Sequence, residues 1–549
     1  AISEASEDIG QDLSYDYYED PYGLVKDLYD GDIDAIIYNT AYNSSLTEHY
    51  PTFEQDIREL LMAFYPGETF VHEEQDDQEH VRFYAEGEVN QERQVFSLSL
   101  RFPGASRFYV PEDLEPEVRK EWEAASESTE ISVDYEDRFE TKNRIKRRLY
   151  VLLMGETGKQ LPWGTLTGIR PTKIAMTKLA EGALPEEIFR YMKETYFTSD
   201  EKIRLSIEIA QRERQLLSAI DYKNGYSLYI GIPFCPTTCL YCSFTSYPIG
   251  KWKERTGEYL EALFREMDYV AEEKRGCTLD TVYFGGGTPT SLSPGDLDIL
   301  ITRLKKTFDF STVQEFTVEA GRPDSITREK LQVLKNHGVT RISINPQTMK
   351  EETLKLIGRR HTVEDVKERF QMAREMGFDN INMDLIIGLP EEGLEDVRTT
   401  MEEVKALAPD SVTVHSLAIK RAARLNTMKE VYKDLKITNT QEMIDLTAQY
   451  AREMGLEPYY LYRQKNMAGN FENVGYAAPG KACIYNVLIM EEQQTIIGCG
   501  AGTTTKRLFP EENRIERAEN VKDVEQYISR IDEMIERKRR LLSEKTIAI

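Results

Sequence analysis

The sequence predicts an α/β protein: a partial (β/α)6 barrel, preceded by an α+β N-terminal domain and followed by a mixed, helix-rich C-terminal region. Three observations predict it. From about residue 222, short runs rich in β-branched and aromatic residues alternate with amphipathic helical stretches. That is the rhythm of repeated β/α units, with a parallel sheet and right-handed crossovers. A cysteine-rich loop leaves the first of these strands, at the end where such barrels place their chemistry. The chain has 549 residues, 40% of them hydrophobic, enough for a barrel and two flanking regions. An eight-stranded barrel is the alternative.

Residues 1–51 form an acidic, tyrosine-rich extension. The first fifty hold twelve acids against one base, Lys26, and eight tyrosines. No catalytic role is assigned to them, although PYGLVKDLYDGDIDAIIYNTAYNSSL reads as a helix, a turn and a strand. Residues 52–215 read as the α+β domain. FEQDIRELLMAFYP has helical apolar spacing, EGEVNQERQVFSLSLRF alternates in strand fashion, and a basic helix is expected over 137–154. The loop LPWGTLTGIRPTK is punctuated by Gly and Pro. Its Arg170 and Lys173 suit an acidic ligand or a domain contact.

The barrel is expected over 216–420. Its strands are YSLYIGI, DTVYFGG, EFTVEAG, TRISINP, NINMDLIIG and SVTVHSL. Helices are expected between them, at 259–273, 297–307, 363–376 and 394–406. Residues 421–549 read as a region that covers the substrate, with a helix over 441–454 and one long charged helix over 521–542, rich in i,i+4 pairs.

The formal net charge is −26, which argues against nucleic acid as the main partner. No run of about eighteen apolar residues predicts a membrane span, and no signal-peptide pattern opens the chain. Of six cysteines, Cys277, Cys483 and Cys499 are scattered and three share one motif. A reducing, cytoplasmic setting fits this usage.

That motif is GIPFCPTTCLYCSF, with Cys235, Cys239 and Cys242 spaced C-x3-C-x2-C. Three thiolates closing on one small volume hold a 4Fe–4S cube by three irons and leave the fourth open to a small molecule. Buried core cysteines, or a zinc site short of one ligand, are the alternatives. FGGGTPTSL follows the second strand, and its Gly285, Gly286 and Gly287 let backbone approach a ligand closely, with Thr288 beside them. Glu319 ends the third strand and Gln347 the fourth. Arg359 lies in IGRRHT, where His361 reads as a supporting or helix-capping residue rather than a metal ligand. Asp384 sits inside the apolar run NMDLIIGLP, where a charge is costly unless it is paired or faces a ligand.

The cysteine and glycine motifs resemble the radical S-adenosylmethionine (SAM) superfamily. LPWGTLTGIRPTK, CLYCSFTSYPIG and SVTVHSLAIKRAARLN further resemble its oxygen-independent coproporphyrinogen III oxidase (dehydrogenase) family, HemZ type. The resemblance covers about residues 52–549. It implies a 4Fe–4S cluster on Cys235, Cys239 and Cys242, with SAM chelating the open iron and yielding a 5′-deoxyadenosyl radical. No catalytic residue is expected beyond the cluster and SAM. By resemblance, Tyr229 and the turn Gly285–Gly286–Gly287–Thr288 hold the methionine part of SAM. Arg359 pairs its carboxylate, Glu319, Gln347 and Asp384 hold the ribose and nearby polar atoms, and Tyr241 packs near the adenine.

The activity this implies is oxidative decarboxylation of two propionates of coproporphyrinogen III to the vinyl groups of protoporphyrinogen IX, in haem biosynthesis. A tetrapyrrole substrate and an electron donor for the cluster are the expected partners. A substrate with four carboxylates needs cationic anchors. The candidates are Lys420, Arg421 and Arg424 after the sixth strand, and Arg463 and Lys465 in LYRQKNMAGN. His415 is a candidate for substrate contact or proton relay, with a core histidine the alternative.

Two positions depart from the characterised oxidases. Phe244 stands where they carry a fourth cysteine, and Gly231 where they carry a histidine. The Phe is similar to that of haem-chaperone relatives. A haem-binding protein without oxidase turnover, or another radical SAM reaction on tetrapyrroles, is therefore the alternative function.

Overall fold

The computed structural model describes residues 35–40, 53–65, 69–71, 81–90, 95–101 and 114–543, less short gaps at 128–129, 133, 135, 169, 219, 221, 223, 421–422, 433, 464–470 and 513. Two compact units divide the chain: 1–167 with 195–197, and 168–194 with 198–549.

The first unit is a five-stranded sheet with helices. The strand Ala35–Thr40 pairs in parallel with Thr69–Val71 and with Val81–Asn90. Val81–Asn90 and Val95–Arg101 form the antiparallel pair that their alternation predicts. The helix Glu54–Phe64 buries Ile57, Leu60, Leu61 and Phe64 against Ile145, Leu149 and Leu153 of the helix Arg138–Thr157. Those residues recur at helical spacing, so each helix presents one apolar stripe. The side chain of Asp137 caps the second helix by accepting from the amide of Glu140, and Gly158 ends it at φ 65°.

The second unit is built on one eleven-stranded sheet. Its first six strands are β1 (Gly225–Ile232), β2 (Thr278–Gly286), β3 (Glu315–Gly321), β4 (Arg341–Ile344), β5 (Ile381–Ile387) and β6 (Ser411–Ser416). They lie side by side in chain order, all parallel. Between them run α1 (Thr256–Glu273), α2 (Pro294–Thr307), α3 (Arg328–Asn336), α4 (Val363–Glu375) and α5 (Leu394–Leu407). Six consecutive β/α units make the predicted partial barrel. It is open, because β1 and β6 do not pair with each other.

The C-terminal region extends this sheet at both edges. β7 (Glu457–Tyr462) and β8 (Asn473–Ala477) add antiparallel strands beside β6. β9 (Thr495–Cys499) lies parallel to β1, and β10 (Thr504–Phe509) and β11 (Arg514–Glu519) continue from it. Residues 168–194 and 198–215, assigned above to the N-terminal domain, fall in the second unit.

The single helix expected over 521–542 is in fact two. Val524–Ser529 stops at Arg530, and a second helix runs over Ile531–Ser543. Lys538 on the second is fully buried against Glu266 of α1, 2.5 Å away. Glu266 also accepts from Asn520, from Tyr527 and from the amide of Gly500. Packing on α1 overrides the helical periodicity that runs through Arg530.

Candidate functional site

The parallel strands alternate their side chains between the two faces. Positions 341, 343, 345 and 347 therefore share one side of the β4 segment, as do 382 and 384 on β5 and 413 and 415 on β6. All of these residues line one cavity of about 350 Å³, together with Cys235, Cys239 and Cys242. The cysteine loop follows directly on β1.

The loop is held from several sides. The amide of Leu240 donates to the carbonyl of Ile357, and the amide of Leu425 to that of Leu240. Cys235 Sγ lies 3.4 Å from the Thr288 hydroxyl. Burial pushes the Cys235 thiol up to about 12. Arg322, directly after β3, belongs to no motif read above, yet it is buried against the cysteine loop. It donates two hydrogen bonds to Asp324, at 2.9 and 2.6 Å, and two to Thr237, at 2.8 and 2.7 Å, and it lies 3.8 Å from Cys239 Sγ. The R-x-D spacing directly after β3 was the available signal.

The glycine turn presses on the cysteine loop. A methyl group on Gly287 would meet the Phe234 carbonyl oxygen at 2.7 Å and Cys235 Sγ at 3.0 Å, and Gly286 has φ 105°. Glycine is required at 287 by the close approach and favoured at 286 by the backbone. Gly285 and Tyr229 sit behind the lining: Tyr229 stacks on Tyr283 at 5.9 Å, and Tyr283 stacks on Tyr485 at 4.6 Å.

The polar wall is made of four predicted residues. Tyr283 donates to Glu319 at 2.6 Å. Burial raises the Glu319 carboxyl to about 7, with the Tyr283 hydrogen bond opposing and the charge of Asp384 adding to the rise. Gln347 has φ 68°, a left-handed backbone in a non-glycine residue, and strain of this kind concentrates at functional positions. Its amide donates to the Asp384 carbonyl and its carbonyl accepts from the Ile386 amide, which fixes the residue against β5. Asp384 accepts from Asn382 Nδ2 at 2.7 Å. Arg359 is buried, donating to the Asn345 carbonyl at 2.5 Å and to the Tyr241 hydroxyl at 3.2 Å.

His361 is buried beside the site rather than in its lining, 4.0 Å from Asp324. Burial, then the Arg359 charge, pushes its imidazole down to about 4.

The predicted substrate residues separate. His415 lines the cavity near Tyr462, and burial lowers its pKa. Lys420 lines the mouth, with its amine 5.6 Å from the centre of the exposed Phe244 ring. Arg424 does not line the cavity: it is exposed on the short helix Arg424–Thr427. Arg463 is also outside the lining, buried near Glu472. Arg421 and Lys465 lie outside the described residues. Arg170 meets protein, not ligand, pairing with Glu492 and the Met490 carbonyl.

The site fits a cluster with a bound amino acid-like ligand. Among the described residues, no three of His, Cys, Asp and Glu converge on a single-ion site. Three thiols sharing one cavity suit a polynuclear cluster better than one zinc. The buried Nε of Arg359 has no partner, so a donor stands ready for a carboxylate. Among the described residues no helix is long and apolar enough to cross a membrane.

Residues 229–404 match the radical SAM superfamily, whose members use a 4Fe–4S cluster and SAM. Over 411 residues the chain is 44% identical to the oxygen-independent coproporphyrinogen-III oxidase-like protein HemZ of Bacillus subtilis (strain 168), covering 74% of this chain and 82% of that one. The heme chaperone HemW of the same organism is 40% identical over 195 residues, 35% of this chain and 51% of HemW. The oxygen-independent coproporphyrinogen III oxidase of Escherichia coli (strain K12) is 30% identical over 220 residues, 40% of this chain and 47% of the oxidase. The solved structure of coproporphyrinogen III oxidase (HemN) from Escherichia coli aligns with TM-score 0.47 and 23% identity, covering 59% of this chain and 73% of that one. The HemZ match spans most of both chains and includes the cysteine loop, so this chain belongs to the HemZ-type, oxygen-independent coproporphyrinogen III oxidase-like family of the radical SAM superfamily.

Proposed function

We propose that this protein carries out oxygen-independent oxidative decarboxylation of coproporphyrinogen III, converting two propionates to vinyl groups and giving protoporphyrinogen IX. The observation that supports this reading is the single cavity that joins the three thiols, the glycine turn, the polar wall and the buried His415 to a mouth bearing Phe244 and Lys420.

When bound, the cluster and SAM supply radical abstraction of a hydrogen atom, chemistry that side chains cannot perform. Each propionate then loses one hydrogen atom, one electron and carbon dioxide, so the reaction needs a one-electron acceptor as well as a reductant for the cluster. The side chains bind and orient. Cys235, Cys239 and Cys242 would hold the cluster, and Arg322 and Arg359 beside Cys239 would offset thiolate charge. Gly286, Gly287 and Thr288 seat the methionine part of SAM, with Gly285 and Tyr229 supporting them from behind the cavity lining. Arg359 pairs its carboxylate, Glu319, Gln347 and Asp384 take its ribose and nearby polar atoms, and Tyr241 packs beside the adenine. Lys420 meets a substrate carboxylate at the mouth. His415, neutral because it is buried, orients the substrate by hydrogen bonding. The setting is a reducing cytoplasm.

A second reading is favoured by Phe244. An exposed aromatic ring at the cavity mouth is a platform for a flat haem, which would make the protein a haem-handling relative without decarboxylation. Anaerobic turnover of the reconstituted, reduced protein with SAM and coproporphyrinogen III separates the two. Loss of two carbon dioxides per porphyrinogen by mass spectrometry supports the oxidase. Tight haem binding with no vinyl product supports the second reading.

A further inference from the structure

Asp384 has no salt bridge among the described residues, although it lies inside an apolar strand. Its carboxylate is held instead by a directed chain of hydrogen bonds across three strands. Arg341 donates to the Ser411 hydroxyl at 3.3 Å, and Ser411 donates to Asn382 Oδ1 at 3.0 Å. Thr413 also donates to Asn382 Oδ1, at 3.2 Å, and Asn382 Nδ2 donates to Asp384 Oδ1 at 2.7 Å. Arg341, Ser411, Thr413 and Asn382 are each 3% exposed or less. The two hydroxyl donors fix which way the Asn382 amide faces, so its N–H group must point at Asp384. Every donor in the chain points towards the carboxylate, and such chains polarise one another in a low dielectric. One carboxylate oxygen is thereby committed, and the other remains for a ligand in the cavity.

We propose that Asn382 is a positioning residue for SAM binding, holding the Asp384 carboxylate in one rotamer, with Arg341 and Ser411 polarising it from behind. The inference rests on the assignment of Asp384 to SAM. Charged and titratable groups facing Asp384 are Glu319, Arg341, His415 and Tyr460.

The test is SAM binding to the reconstituted holoprotein, read by equilibrium dialysis between pH 6 and 9, with iron content and melting temperature as controls. Asn382→Asp replaces the N–H donor with a second carboxylate. Affinity should fall on the order of tenfold at pH 8 and recover towards pH 6, where a shared proton restores the donor. The recovery is read as the ratio to wild type at each pH, because Glu319 in the same cavity titrates near 7 in both proteins. Ser411→Ala, which keeps Asn382, should weaken binding by about threefold and serves if the first variant fails to fold. Asp384→Ala reports on the assignment itself. If Asp384→Ala loses affinity while Asn382→Asp and Ser411→Ala stay within about twofold of wild type, positioning by Asn382 is overturned and the SAM assignment stands. If Asp384→Ala binds SAM normally, both are overturned.

Discussion

Two buried polar networks in the barrel unit make an instructive contrast. Around Glu266 the network is closed: one carboxylate receives Lys538, Asn520, Tyr527 and the Gly500 amide, all deeply buried. Around the cavity it is open: Arg359 Nε, Arg341 Nε and Ser343 Oγ are buried without partners. A closed network fixes structure, here joining the C-terminal helix to α1. An open one carries a standing desolvation cost that a ligand relieves. Burial of charge alone thus does not mark a site; unfinished hydrogen bonding beside a cavity does.

The contrast breaks most visibly at the cysteines. Cys239→Ala should abolish the brown cluster absorbance and SAM cleavage together, and a variant keeping both removes the cluster from this loop. Glu266→Ala should act on stability, because it strands the buried Lys538 ammonium. A loss of about 3–5 kcal/mol in denaturant melts is expected, and an unchanged melt would mean that the network is not closed as described. Asp384→Ala should do the reverse, lowering SAM affinity on the order of tenfold or more with iron content and melting midpoint retained.

Glu319 sharpens the contrast through pH. Its folded pKa of about 7 lies above the ordinary value of 4.5. Between these values the folded protein keeps a proton that the unfolded chain releases, so this group's stabilising contribution is full at low pH and fades as pH rises through about 7. In SAM-free protein, wild type should therefore lose melting temperature relative to Glu319→Gln between pH 5 and pH 8. Parallel profiles would refute the raised pKa. The smallest effect belongs to Arg424→Ala: the residue is exposed and off the cavity, so porphyrin affinity should stay within about twofold.

Much of this site was legible because it is local. C-x3-C-x2-C, the triple glycine, Glu319 near the end of β3 and Gln347 just past β4 are each contained in a few residues, and six parallel strands announce themselves by alternation with helices. What escaped depends on distant pairing. Nothing in 495–499 predicts a parallel partner at 226–230, and nothing in 473–477 predicts an antiparallel partner at 411–414. Arg341 reads as the polar start of a strand until Ser411 is seen beside it. Arg424 and Arg463 have suitable charge and lie near the site in sequence, and neither property determines which way a side chain faces.

The most direct test of the central claim is the electron paramagnetic resonance spectrum of the reconstituted, reduced protein, before and after SAM. The account predicts a 4Fe–4S signal that changes shape when SAM is added and is absent in Cys239→Ala. A cluster signal that SAM leaves unchanged would contradict it, since the open cavity beside the cysteine loop would then not be the SAM site.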